Sequence, residues 1–99
     1  MKKSPKQKQH RDAGRDHFGD WLAQNEKRLA GLPLKEQKRQ ATLAMQGVCY
    51  DLVASTTESL REVEAAAGDA YEGMVPWINA LGELGAAATL AKMNEEDGL

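Results

Sequence analysis

The chain is poor in most residues that carry chemistry. It has one cysteine, two histidines and five aromatic side chains among 99 residues. The single thiol, Cys49, excludes an internal disulfide and any cysteine-pair metal site, and fits a reducing compartment. No uninterrupted apolar run reaches the roughly 18 residues expected of a membrane span. The opening MKKSPKQKQH has the positive charge of a signal peptide but no apolar stretch behind it. These absences predict a cytoplasmic protein. With so few aromatics and a hydrophobic content of 41%, a core must come from Leu, Ala, Val and Met packed between helices. The length allows one domain at most.

What the chain does have is charge sorted by position. Residues 1–40 hold 11 of the 13 Lys and Arg and 5 acids, a net of +6; residues 41–99 hold 2 and 10, a net of −8. The total of −2 describes neither half. Such a split suits a basic arm meeting an anionic partner, or a basic helix folded against an acidic one.

The pattern along the chain is helical. Residues 1–14 read as a flexible basic arm, too polar to offset the entropy of ordering. A helical domain is expected over 15–94 and a frayed acidic tail over 95–99. Phe18, Trp21, Leu22, Asn25 and Leu29 recur at steps of three and four, one stripe of an amphipathic helix. Gly31 reads as its stop, and Pro33 as the first residue of the next helix. Leu34, Ala41, Met45, Val48, Leu52, Leu60, Val63 and Ala67 then hold one helical phase for more than 30 residues. That phase favours a single long central helix ending at Gly68-Asp69. Ser55-Thr56-Thr57-Glu58 matches a capping box and competes with continuity. Pro76 is expected to open a last helix with Met74, Trp77, Ile78, Leu81, Leu84, Ala88 and Ala91 on its apolar side. The fold class is therefore all-α, a small bundle of three main helices, completed by a dimer.

Two stretches are nearly uncharged: 40–57 holds only Asp51, and 73–91 only Glu83. Helices neutral nearly all round are buried on more than one side. In so thin a chain the second covering surface is expected to be another copy, through a seam of Ala41, Met45, Val48 and Leu52. Gly82, Gly85, Ala86 and Ala88 would allow a helix to approach closely.

Candidate sites are few. Lys2, Lys3, Lys6, Lys8 and Arg11 could neutralise phosphates in a salt-sensitive, sequence-blind contact with DNA or RNA. His10, Asp12, Asp16, His17 and Asp20 could hold a cation, but Arg11 and Arg15 supply local partners, and a solvated face is the reading preferred, with no metal or other cofactor expected. Cys49 sits mid-helix in a charge-poor segment, with Asp51 as its nearest charge, and reads as a buried thiol. Tyr71, Met74 and Trp77 either anchor a partner or cap the core. Glu58, Glu62, Asp69 and Glu72, with Glu95, Glu96 and Asp97, could present carboxylates to a basic surface. The expected function is a small non-enzymatic regulator or inhibitor of bacterial or phage type, occluding a partner protein's functional surface. Its contacts would be Glu58, Glu62, Glu72, Tyr71 and Trp77. The alternative is a nucleic-acid-associated protein using the basic arm.

Overall fold

A computed structural model describes residues 5–55, 57 and 59–97. It is all-helical: α1 spans Pro5–Ala30, α2 Leu34–Ala54, α3 Leu60–Leu84 and α4 Ala86–Asp97. The described residues form four helices where three main ones were expected. None among the described residues is long and apolar enough to cross a membrane. The central element is α3, which lies against both α1 and α2. Those two touch each other far less, and α4 packs on α1 and α3.

The start of α1 at Pro5 places residues 5–14 of the expected arm in helix. Phe18, Leu22 and Leu29 of its predicted stripe are fully buried, and Trp21 packs beside them, its ring 6.3 Å from that of Phe18. The turn into α2 is fastened by one side chain. Gln37, buried, donates its amide to the carbonyls of Leu29 at 2.7 Å and Leu32 at 3.0 Å. These acceptors belong to the end of α1 and its turn, where carbonyls lack helical donors. Pro33 precedes α2 rather than opening it; its carbonyl accepts from the Glu36 and Gln37 N–H groups.

The long central helix does not form. Instead α2 ends at Ala54 and α3 begins at Leu60. The break uses a second Ser-x-x-Glu, one turn beyond the first. Ser59 takes extended backbone angles and its hydroxyl accepts the Glu62 N–H at 3.2 Å, an N-cap for α3. Thr57 donates its hydroxyl to the Val53 carbonyl at 2.9 Å, closing the end of α2. The apolar phase persists across the break because both helices present core faces to neighbouring layers, not because they are one rod.

Gly68-Asp69 and Pro76 do not divide the chain either. All three lie inside α3, with Pro76 on the exposed side. There, the carbonyl its ring leaves without a donor can turn to water. The division comes at Gly85, whose φ of +88° only glycine adopts easily. It resets the helical phase. Met74, Ile78 and Leu81 of the predicted stripe are buried, while Leu84, Ala88 and Ala91 are exposed. The buried positions of α4 are instead Ala86, Thr89 and Met93.

Part of the contact between α1 and α3, around Gly14 and Gly73, is backbone against backbone. A Cβ added at Gly14 would fall on the Ala70 carbonyl oxygen and 2.7 Å from its carbon. One added at Gly73 would fall on the Arg11 carbonyl oxygen, 2.7 Å from that carbon. The close approach expected of Gly82 and Gly85 is milder: a Cβ at Gly82 meets only the flexible Lys38 side chain.

Candidate functional site

Most of the carboxylates described in the acidic half of the chain are exposed, Asp69 being half-buried. Glu62 and Glu72 of α3 are exposed, as are Glu64, Glu83, Glu95 and Glu96. Glu62 also serves the fold, since its N–H meets Ser59. Glu58 lies outside the described residues. Tyr71 and Trp77 are half-buried and packed against the core, and Met74 is fully buried. The ring atoms of Tyr71 and Trp77 thus support the bundle as well as bordering its surface.

Of the basic candidates, Lys6 and Lys8 are exposed on the first turns of α1, and Arg11 is half-buried beside Gly73. Lys2 and Lys3 lie outside the described residues.

The expected dimer seam is occupied by the chain itself. Ala41 and Met45 are fully buried in its own core, with Cys49 and Val53 continuing the line; Val48 and Leu52 are half-buried. The reason is α3, which covers this side of α2 without help from a second copy. The sequence therefore assigned to a partner the face that the fold closes on itself. The opposite face of α2 is the one left open: Leu43 and Tyr50 are exposed, and so are Gln46, Gly47 and Ala54. Its signal was present in the lone charge of 40–57, since a helix buried on one side only would ordinarily carry charges on the other.

The His/Asp group is dispersed. Asp16, His17 and Asp20 are exposed, and Arg15 pairs with Asp16 at 3.3 Å and Asp12 at 4.0 Å. Among the described residues no three His, Cys, Asp or Glu side chains are gathered as metal ligands. His10 turns away from this group. Its Nδ1 stands 4.0 Å from an Asp69 carboxylate oxygen on α3, buried and without a hydrogen-bond partner. The pair sits at a cleft of about 350 Å³ bordered by Lys6, Gln7, Thr57 and Glu62. Sequence reasoning missed this pairing because 59 positions separate the two residues.

Cys49 is 1% exposed, and burial pushes its thiol up to about 11. A thiol held neutral this way is a packing group, not a nucleophile. At the start of α2, Arg39 grips the Glu36 carboxylate, and with Gln40 it holds that carboxyl below its usual range; Glu36 in turn raises the guanidinium.

Comparison with protein-family models, curated proteins and solved structures finds no match.

Proposed function

We propose that this protein is a small non-enzymatic regulator or inhibitor that binds a partner protein and occludes its functional surface, working as a homodimer of helical bundles. One observation carries the reading. α3 holds five acids against Arg61, and α4 three against Lys92, so that together these helices bear a net charge of −6. Carboxylates set along a rigid helix favour a basic partner surface, steer its approach and compete with whatever anionic ligand that surface normally takes.

The test is capture by the immobilised protein from a nuclease-treated lysate, read by mass spectrometry. A basic protein should be retained, and Glu62→Lys with Glu72→Lys should release it. Retention by that double variant would overturn the electrostatic mechanism. A second reading draws on the exposure of Lys6 and Lys8: association with DNA or RNA through the basic end of α1. It expects retention of nucleic acid that falls steeply with salt and disappears on Lys6→Gln with Lys8→Gln.

A further inference from the structure

The core side of α2 is covered within the chain, but its outer side is not. Leu43 is 57% exposed and Tyr50 43%, with Gly47 between them and Ala54 beyond, both exposed. Positions 43, 47, 50 and 54 follow steps of four, three and four, a single line along a helix. Between Arg39 and the end of α2, Asp51 is the only charge, and it stands at the edge of that line. Nothing lies within 4 Å of where a Cβ at Gly47 would be, so the line is notched at its middle. An apolar line free of charge is the surface of a helix that meets another helix.

Two features select a second copy of this chain as the occupant. The line is close to symmetric about Gly47, with Leu43 four residues before it and Tyr50 three after. Two copies crossing there antiparallel, about a two-fold axis, set each Leu43 against the partner's Tyr50. Charge supplies the second feature. Within α2, residues 34–40 carry three cations against Glu36, whereas the other end holds a single charge, the acid Asp51. Antiparallel pairing lays the basic end of one α2 over the acidic end of the other, twice, and opposes their dipoles; parallel pairing sets like with like.

We infer that two copies pair through the outer face of α2, antiparallel, with Gly47 at the crossing. This names the surface of the homodimer in the reading above and rests on it. A contact between two helices of this length is expected to bury less than the roughly 1,200 Å² of a standard interface, so the dimer is expected to be weak and concentration-dependent.

Sedimentation equilibrium from about 5 μM to about 500 μM should show the mass rising from 10.8 kDa towards twice that value. Leu43→Glu and Tyr50→Glu, both at exposed positions, should stay monomeric throughout with unchanged helical circular dichroism. Orientation is read by a short bismaleimide. Chains bearing Leu43→Cys should join to chains bearing Tyr50→Cys and not to one another, the native Cys49 being shielded. A monomer at every concentration would overturn both the dimer and this surface. A dimer that survives Leu43→Glu and Tyr50→Glu would overturn the surface alone, and self-joining of the Leu43→Cys chains would overturn the antiparallel arrangement.

Discussion

α3 is gripped on two sides in two different ways. Against α2 it meets ordinary side chains, Ala41, Met45, Cys49 and Val53, all buried. Against α1 it meets side chains as well, but also main chain directly, through Gly14 and Gly73. Interlocking side chains can shift rotamers when one of them changes, so the α2 side degrades gradually. Carbonyl groups in contact with a glycine Cα have no such freedom. The α1 side is therefore closer to all-or-none, and its weak points are positions with no side chain at all.

The sharpest way to break this contrast is to add one methyl group. Gly73→Ala and Gly14→Ala should each lose about 3 kcal/mol or more, because the helices must separate to admit a Cβ; urea unfolding measures the loss. Helix propensity alone would give the opposite sign. Met45→Ala, on the side-chain face, should cost about 2 to 3 kcal/mol from lost burial and a partly collapsed cavity, with α1 still docked by hydrogen exchange. Cys49 offers a titration of the same face. Its folded thiol value lies above the unfolded one, so its contribution is complete below the ordinary thiol range and lost as pH rises towards 11. Relative to Cys49→Ala, the protein should lose about 2 kcal/mol across that window, by denaturant melts at stepped pH. A smaller change is expected from Ser59→Ala, about 1 kcal/mol through the loss of the α3 cap. Last comes Gly68→Ala. No atom lies within 4 Å of its would-be Cβ, so it should gain up to about 1 kcal/mol, visible as a small rise in Tm. A loss there would show that close approach is not what separates Gly68 from Gly73.

The two kinds of contact also differ in how far the sequence discloses them. Apolar periodicity reports side-chain burial directly, and Phe18, Leu22 and Leu29, like Ala41 and Met45, stand out by spacing alone. A glycine in a helix reads only as a weak helix former, and Gly14 gives no hint that it touches Ala70. Helix ends were ambiguous for a related reason. Ser55-Thr56-Thr57-Glu58 and Ser59-Leu60-Arg61-Glu62 carry the same capping pattern, and the choice between them depends on where α3 must lie to cover α2. Pro76 misled because its position on the exposed side of α3 is a tertiary fact. Exposed carboxylates such as Glu62 and Glu72 were legible as candidates; the open face of α2 was not, because the same lack of charge that marks it was taken as burial on both sides.

The Gln37 clasp bears on the order of assembly. It joins groups eight residues apart at most, a short loop to close, and its partners come from adjoining segments of chain. The corner between α1 and α2 can consolidate on the timescale of local helix growth. α3 is expected to arrive later, since contacts such as Gly73 with Arg11 span much longer stretches of chain. Replacing the amide of Gln37 with a carboxylate would turn two acceptors against a third and should slow refolding by removing the early corner, a kinetic signature distinct from the fast unfolding expected of changes at Gly73.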